Sequence, residues 1–297
     1  MKKALTVIIV IMLIQACLFT SASAVIQSPP KNADISVSVY KTDTAPVLDG
    51  VIDEDEYQKL DISSSDLSLI VGSDTDWNRA RNTKFNAYAS VCDGVFYFAL
   101  SVAIPQEYYN TGCEPKNMWA QSCLMTSYAK QKTNGRNALE IGVRPGGGYY
   151  IWNYYNNVRF DIRDSFKAVY SDGAAVYETA VPLSAFGAEN DGSFLFCFCI
   201  SAGDYFNGER QVYIQYGRGI SGFSTTEDAD AGKDAALFPT VRIVAPGEET
   251  DPSETTKNEG GKTPDTSFDL KSVILICASV MAVSLFAAYL MMRKQKV

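Results

Sequence analysis

The chain of 297 residues contains no histidine. Histidine is the usual general base of serine and cysteine triads and a common ligand of zinc and haem iron. Its absence argues against a triad hydrolase, a zinc site and a histidine-ligated haem. In the central part of the chain only Met118 and Met125 could offer thioether ligands instead. We therefore expect no haem and no zinc.

Positive charge is also scarce. Lys and Arg total 26 residues against 34 Asp and Glu, which gives a formal net charge of -8 and a pI of about 4.7. Proteins that bind a phosphate backbone concentrate Lys and Arg on one surface. Because no stripe of basic residues is visible, we expect no nucleic-acid partner.

Cysteine is sparse, and five of the seven cysteines lie between residues 92 and 199. Cys197 and Cys199 are two residues apart in a predicted strand, so they share one face and cannot bridge each other without distortion. We expect them to be small buried core residues. Cys113 and Cys123 flank a loop and could form a disulfide, but the sequence leaves the pairing open.

Long apolar runs occur only at the two ends of the chain. Residues 1–24 have a basic start, an apolar stretch and the small residues Ala22-Ser23-Ala24, the order typical of a secretory signal peptide. Cys17 offers a lipoprotein anchor as an alternative. Residues 272–292 are long and apolar enough for a membrane-spanning helix. The basic tail at residues 293–297 indicates a cytoplasmic C-terminus, with the remaining chain on the extracellular face.

The stretch before the predicted span, residues 246–271, has almost no large apolar side chain and predicts a flexible acidic stalk. Within it, Thr263-Pro264-Asp265-Thr266-Ser267, followed by the span and basic tail, resembles the cell-wall sorting signal of Gram-positive surface proteins. Those signals have Gly where this chain has Ser267. Covalent attachment to the cell wall near Thr266 and a plain transmembrane anchor are both open.

The central residues 25–245 are enough for one domain with a sizeable core. Short alternating segments joined by Asp-Gly and Gly-rich turns predict an all-β fold, an antiparallel β-sandwich. Residues 194–200 are apolar on both faces, which predicts a central strand covered on both sides. The predicted strands are residues 35–41, 83–92, 95–102, 138–144, 149–154, 166–170, 174–179, 193–201, 211–216 and 240–244.

Three segments carry a family resemblance. Residues 45–57, Ala-Pro-Val-Leu-Asp-Gly-Val-Ile-Asp-Glu-Asp-Glu-Tyr, resemble the opening motif of family 9 carbohydrate-binding modules and the wider DOMON-like β-sandwich group. Residues 84–102 and 177–187 are similar to later motifs of the same family, in the same order. The resemblance covers about residues 35–244 and implies a DOMON-like sandwich that binds carbohydrate.

The opening motif also has a purely structural interpretation. Asp49-Gly50 is a turn dipeptide, Asp53 can cap a short helix, and Tyr57 can pack its ring onto a sheet. Alternatively, its carboxylates, with a second acidic run at residues 227–234, could supply the oxygen ligands of a structural calcium ion. The candidate metal ligands are Asp49, Asp53, Glu54, Asp228 and Asp230.

Sugars are bound by aromatic rings that stack on the C–H face of the ring and by polar groups that pair with hydroxyls. Trp119 lies where family 9 modules have the first tryptophan of a clamp, but residues 120–125 lack the carboxylates that follow it in that family. Residues 149–157 are dense in aromatics and asparagines, and in a strand Tyr150, Trp152 and Tyr154 would share one face. They form either an exposed platform or part of the core. The predicted ligand-binding residues are Trp119, Trp152, Tyr150, Tyr154, Asn153 and Phe223.

Taken together, the sequence predicts a surface-anchored, extracellular carbohydrate-binding module that holds a poly- or oligosaccharide near the cell and is not itself catalytic. One alternative is a structural or protein-interaction ectodomain with a degenerate sugar site. Another is a module associated with a glycoside hydrolase. Hydrolysis of a glycosidic bond needs two carboxyl groups about 5 to 10 Å apart, and no such constellation stands out.

Overall fold

The computed structural model describes residues 26–28, 34–71, 82–132, 137–190, 192–204, 212–220 and 233–245. In these residues the regular structure is almost entirely β-strand, with short 3-10 helices between strands. The described strands are β1 (Ile26–Ser28), β2 (Ser36–Tyr40), β3 (Gln58–Lys59), β4 (Leu67–Val71), β5 (Phe85–Cys92), β6 (Val95–Ala103), β7 (Cys123–Ala129), β8 (Leu139–Arg144), β9 (Gly148–Asn153), β10 (Phe166–Ser171), β11 (Ala174–Pro182), β12 (Ser193–Ala202), β13 (Val212–Tyr216) and β14 (Thr240–Val244).

The strands form two sheets. The large sheet has the order β1-β4-β13-β12-β7-β8-β9, with β14 beside β12 and β2 beside β14. The small sheet has the order β10-β11-β6-β5-β3. The prediction of a wholly antiparallel sandwich is wrong at one pair, because β2 and β14 run parallel. Strands distant in sequence can pair in this way because no hairpin dictates their direction.

Asp-Gly dipeptides make the tight turns that the sequence predicted. Asp93 and Gly94 have φ of 48° and 74° between β5 and β6, and Asp172 and Gly173 have φ of 51° and 77° between β10 and β11. Positive φ at both central positions gives a turn whose twist matches that of the flanking strands. These two hairpins build most of the small sheet.

Aromatic rings fill the space between the sheets. The ring of Phe96 lies 5.2 Å from that of Phe196, and the ring of Phe98 lies 4.9 Å from Phe196 and 5.1 Å from Phe198. All four side chains are completely buried. Because Phe96 and Phe98 belong to the small sheet and Phe196 and Phe198 to the large one, these contacts bind the sandwich together face to face.

The outer face of β12, turned away from the small sheet, is covered as well. Cys197 and Cys199 lie there and are fully buried, as predicted for small core residues. Neither forms a disulfide, and neither do Cys113 and Cys123, so the bridge that the sequence left open between the latter two is not formed. The predicted burial of this strand on both faces is therefore confirmed.

Residues 45–57, the opening loop, cover the outer face of the small sheet. Tyr57 is buried there against Tyr88 and Ala99. Its hydroxyl donates to Glu178 Oε1 over 3.0 Å, and the backbone N–H of Gly50 donates to Glu178 Oε2 over 2.6 Å. Glu178 itself is fully buried. Two segments of the family resemblance thus meet at one carboxylate, which fastens the loop to the sheet.

The structural interpretation of the opening loop is confirmed, apart from its helix. Asp49 Oδ1 accepts from the backbone N–H of Val51, and Asp53 Oδ1 accepts from that of Asp55. The expected short helix after Asp53 is a single turn instead. Gly50 has φ of 95°, and a Cβ atom added to it would lie 2.9 Å from Val169 Cγ1, so glycine is required for this close approach.

The predicted strands are all present in the described residues, although β11 runs three residues beyond its prediction to Pro182. Four strands lacked a sequence signal: β1, β3, β4 and β7. In β7 every residue is buried, including Thr126 and Ser127. Burial on both faces removes the alternation of polar and apolar residues on which the prediction relied.

In the part of the chain that the structure describes, no helix is long and apolar enough to cross a membrane. The predicted signal peptide at residues 1–24, stalk at 246–271, span at 272–292 and tail at 293–297 all lie outside the described residues. Those four assignments therefore stay predictions.

The two hydrogen bonds to Glu178, from Gly50 and Tyr57, give a first test. Glu178→Ala leaves the Gly50 N–H and the Tyr57 hydroxyl without an acceptor, at a cost of about 1–3 kcal/mol for each buried donor. Glu178→Gln keeps one acceptor for Gly50 and adds an amide that can donate to the Tyr57 oxygen. We expect urea denaturation at pH 7 to give a much smaller loss of unfolding free energy for Glu178→Gln than for Glu178→Ala.

The same carboxyl predicts a pH dependence. Burial raises the pKa of Glu178, the hydrogen bonds from Gly50 and Tyr57 oppose this, and Asp49 and Glu56 add to the rise. Lys167, its cross-strand neighbour, is exposed. Because the folded pKa lies above the unfolded value of about 4.3, the stability that this group adds is complete below that pH and falls as pH rises through the folded pKa. Wild type should therefore lose stability relative to Glu178→Gln on going from pH 4 to pH 8. If the unfolding free energies of the two proteins change with pH in parallel, the raised pKa of Glu178 is contradicted.

Candidate functional site

A loop on the outer face of the large sheet, residues 110–122, carries the first predicted aromatic and is called the Trp119 segment. Its base is closed by two hydrogen bonds: the backbone N–H of Asn110 donates to Ser122 Oγ over 3.0 Å, and that of Ser122 donates to Asn110 O over 2.8 Å. Between them lies a 3-10 helix, Pro115–Ala120, with Pro at its first position. Proline is suited to this position because its fixed φ matches the helix start.

Trp119 is the penultimate residue of this 3-10 helix and is half-buried against the core. Its carbonyl oxygen accepts a hydrogen bond from Ser201 Oγ of β12 over 3.1 Å. The preceding residue, Met118, is completely buried. The backbone of Trp119 is therefore fixed to the sheet, while the residue as a whole keeps part of its surface accessible to solvent.

Trp152 of β9 is brought to the same segment. Its indole Nε1–H donates to the carbonyl oxygen of Lys116 over 3.0 Å. Its ring covers Gly142 of β8: a Cβ atom added to Gly142 would lie 2.5 Å from Trp152 and 2.7 Å from Met118 Sδ. The close approach of the indole ring to the sheet thus depends on glycine at this position.

Tyr150 continues the aromatic surface next to Trp152. The two ring centroids are 5.6 Å apart with an angle of 63° between the planes, an edge-to-face arrangement. Tyr150 is 37% exposed, the most open ring of this cluster. Among the described strands, β9 lies at one edge of the large sheet. The Tyr150–Trp152 pair is accordingly an accessible aromatic surface.

Tyr154 and Asn153 do not extend this surface as expected. The pairing of β8 with β9 shifts at a bulge, where Ile141 pairs with Ile151 but Glu140 pairs with Asn153. An extra residue at a bulge reverses the alternation of faces beyond it, so Tyr154 leaves the row of Tyr150 and Trp152. Instead, the Arg159 guanidinium lies 4.0 Å from the centre of the Tyr154 ring.

The Asn153 amide is engaged within the protein, because its Nδ2 donates to the carbonyl oxygen of Ala138 over 2.7 Å. The last of the six predicted ligand-binding residues, Phe223, lies outside the described residues. Of the six, Trp152 and Tyr150 therefore lie side by side, and Trp152 contacts the 3-10 helix that contains Trp119.

A polar network that the sequence did not predict lies beside the Trp119 segment. Asp204, just after β12, is 6% exposed. Its Oδ2 atom accepts hydrogen bonds from Asn110 Nδ2 over 2.8 Å and from Gln121 Nε2 over 3.1 Å. Gln121 Oε1 in turn accepts from the backbone N–H of Cys113 over 2.8 Å. A distant part of the chain thus places a buried carboxylate next to Gln121.

One further contact holds the middle of the segment. Arg144 Nη1, from β8, donates to the carbonyl oxygen of Cys113 over 2.6 Å. Burial raises the pKa of the Cys113 thiol, and the nearby Arg144 charge partly opposes this. The thiol is therefore protonated at neutral pH. Arg144 Nη1 also lies 3.7 Å from the Cys113 sulfur, so it contacts both the backbone and the side chain of that residue.

A polar cleft, with an empty volume of about 240 Å³ including its open mouth, lies elsewhere on the outer face of the large sheet. Its charged residues are Glu140, Lys233 and Asp234, and the first two form an ion pair with both side chains mostly buried. Ile220, Ala235 and Phe238 line the apolar side. This ion pair links β8 to the chain that precedes β14.

The predicted calcium ligands fall into two groups. In the described residues, no three His, Cys, Asp or Glu side chains are grouped so as to hold a metal ion. Asp49 and Asp53 hydrogen-bond to turns of the opening loop, and Glu54 is exposed. Asp228 and Asp230 lie outside the described residues. Calcium binding stays a prediction.

Comparison with solved structures finds a family 9 carbohydrate-binding module from Caldicellulosiruptor kristjanssonii, in complex with glucose and in complex with cellotriose. The glucose complex has a TM-score of 0.49 and 15% sequence identity, covering 72% of this chain and 100% of the module. The cellotriose complex has a TM-score of 0.48 and 16% identity, covering 75% and 100%. This is the family that residues 45–57 resemble. No family model matches the chain, and no curated protein matches it.

The packing at Gly142 can be tested directly. Gly142→Ala forces the Trp152 ring and Met118 away from β8, and overpacking of this kind costs about 1–3 kcal/mol. Gly192→Ala is the matched control, because nothing lies within 4 Å of its added Cβ atom. We expect Gly142→Ala to lower the melting temperature and change the near-UV circular dichroism, with Gly192→Ala close to wild type. Equal effects of the two substitutions would contradict the packing described here.

The calcium prediction has its own test. An ion that binds only the folded chain raises the melting temperature by mass action. We expect a higher melting temperature in millimolar calcium than in EDTA, with magnesium as the control for ionic strength. An unchanged melting temperature would dispose of a structural calcium ion.

Proposed function

We propose that this protein is an extracellular carbohydrate-binding module, anchored at the cell surface, that holds a poly- or oligosaccharide without cleaving it. The observation that carries the proposal is the convergence of Trp119, Trp152 and Tyr150 around one fixed segment. Trp119 lies within that segment, Trp152 donates a hydrogen bond to it, and Tyr150 extends the aromatic surface.

Such a surface suits a sugar for two reasons. Flat aromatic rings bury the apolar C–H face of a pyranose, and partly exposed rings can do so without unfolding the domain. Polar groups beside the rings give specificity through hydrogen bonds to hydroxyls. Asn110 and Gln121 belong to the Trp119 segment and already donate to Asp204, so they support binding by fixing that segment. The motif resemblance of residues 45–57 supports the same class of ligand.

Binding without catalysis is the simpler proposal for this site. A glycoside hydrolase needs a pair of carboxyl groups, one to protonate the leaving group and the other to act as nucleophile or base. Asp204, the buried carboxylate beside the Trp119 segment, instead accepts two amide hydrogen bonds on one oxygen. An acceptor engaged in this way holds a loop in place.

The proposed location rests on the ends of the chain. An N-terminal signal peptide and an apolar run at residues 272–292 with a basic tail support a single span with its C-terminus in the cytoplasm. The motif around Thr266 supports attachment to the cell wall as the other means of anchoring.

A second function is favoured by one observation. The indole N–H of Trp152 is already bonded to Lys116 O, so the most polar part of that ring is engaged inside the protein. This would suit a structural or protein-interaction ectodomain in which the aromatic cluster only holds the Trp119 segment to the sheet. Loss of stability without loss of ligand binding on substitution of Trp119 distinguishes this alternative from glycan binding.

The test is calorimetric titration of the full-length chain in detergent micelles with glucose and cellotriose, followed by a glycan array. Trp119→Ala removes an aromatic anchor, whose loss typically costs 2 kcal/mol or more, roughly thirtyfold in affinity. Tyr40→Ala is the control, because Tyr40 is also partly exposed but lies on β2, away from the Trp119 segment. We expect Trp119→Ala to lose binding and Tyr40→Ala to retain it.

Two results would contradict the proposal. No glycan bound by the wild-type chain on the array would remove the function itself. A Trp119→Ala variant that melts at a lower temperature but binds a glycan with unchanged affinity would assign Trp119 to the core and move the binding site elsewhere.

A further inference from the structure

Both ends of the Trp119 segment meet at one carboxylate. Asn110 is its first residue and Gln121 its penultimate one, and both side-chain amides donate to Asp204 Oδ2. We infer that Asp204 is the positioning residue of the Trp119 segment: it holds the segment in the one conformation in which Trp119 can take part in binding. This inference deepens the proposed function and rests on it for its consequence in ligand affinity.

The network passes from Asp204 into the segment on both sides. Asn110 Oδ1 accepts from the backbone N–H of Gly112 over 3.0 Å, and Gln121 Oε1 accepts from that of Cys113 over 2.8 Å. Each amide thus joins Asp204 at one end and the segment backbone at the other. Loss of the carboxylate would remove both of these links at once.

Burial makes this arrangement strong. Asp204 and Gln121 are each 6% exposed, so little water can replace a lost partner. Hydrogen bonds to an ionised acceptor are roughly twice as strong as neutral ones. A buried donor that loses its acceptor keeps the full cost of its desolvation. The network therefore favours one arrangement of the segment over looser ones.

The conformation of the Trp119 segment affects ligand affinity through the fraction of molecules that are ready to bind. When only a fraction of the molecules has the binding-competent conformation, the apparent dissociation constant rises in inverse proportion to that fraction. Ser201, three residues before Asp204, also bonds the carbonyl oxygen of Trp119. The end of β12 thus fixes the tryptophan both directly and through the two amides.

Exchanging the carboxylate and the amide between positions 204 and 121 tests this role. Gln121→Glu sets a second carboxylate against Asp204, and like charges in a buried site repel. In the double variant Asp204→Asn/Gln121→Glu, rotation of the amide at position 204 lets its Nδ2 donate to the new carboxylate while its Oδ1 accepts from Asn110. The carboxylate at position 121 can still accept from Cys113. The bonds that link positions 110, 113, 121 and 204 are then all present again.

The readouts are amide hydrogen exchange of residues 110–122 in the full-length chain and its affinity for cellotriose. We expect Gln121→Glu to speed exchange at Cys113 and Ser122 about tenfold or more and to weaken cellotriose binding by a similar factor, and the double variant to restore both to within about threefold. Asp66→Asn is the matched control, because Asp66 is also buried and accepts from the backbone N–H of Ser63 in a different loop. It should leave both readouts unchanged.

The possible results separate the positioning role of Asp204 from its effect on binding. Exchange in the double variant as fast as in Gln121→Glu, or unchanged exchange in Gln121→Glu, overturns the positioning role of Asp204. Faster exchange with unchanged affinity overturns the link between the segment and binding. If the wild-type chain binds no cellotriose, the proposed function fails for that glycan, and rescued exchange in the double variant still supports the positioning role.

Discussion

The packing of phenylalanine rings between two central strands is the constraint on which the rest of the structure depends. Phe96 and Phe98 on β6 meet Phe196 and Phe198 on β12, and all four are fully buried. β12 is also apolar on its outer face, so the large sheet must be covered on both sides. The small sheet likewise buries Tyr57 on its outer face. A sandwich of this kind needs a cover outside each sheet, and these covers carry the features of functional interest.

Each cover is fastened by one buried carboxylate. Glu178 accepts from Gly50 and Tyr57 and holds the opening loop on the small sheet. Asp204 accepts from two amides and holds the Trp119 segment at the large sheet. Covering segments without regular structure have few backbone bonds of their own, so buried acceptors must satisfy their donors. The first cover is closed over its sheet, whereas the second leaves aromatic rings accessible, which is why the candidate site lies on that side.

Features set by neighbouring residues could be predicted from the sequence, and features set by distant contacts could not. The Asp-Gly hairpins and the alternating strands depend on local geometry. The hydrogen bond between Gly50 and Glu178 joins residues 128 positions apart, and that between Asn110 and Asp204 joins residues 94 positions apart. The family resemblance pointed to Trp119 and aromatic density to Trp152, but the bulge that removes Tyr154 from the row of Tyr150 and Trp152 arises from pairing with β8. Composition gave no indication of Asp204, which is a single carboxylate after an apolar strand.

The central claim is that a glycan contacts Trp119 and Trp152 together. The most direct measurement is a nuclear magnetic resonance titration of the full-length chain, with ¹⁵N in its three tryptophan indoles, against cellotriose and the best ligand from the array. The account predicts that the Trp119 and Trp152 signals shift together with one dissociation constant while the Trp77 signal does not move. Saturable binding with both signals unmoved would contradict it.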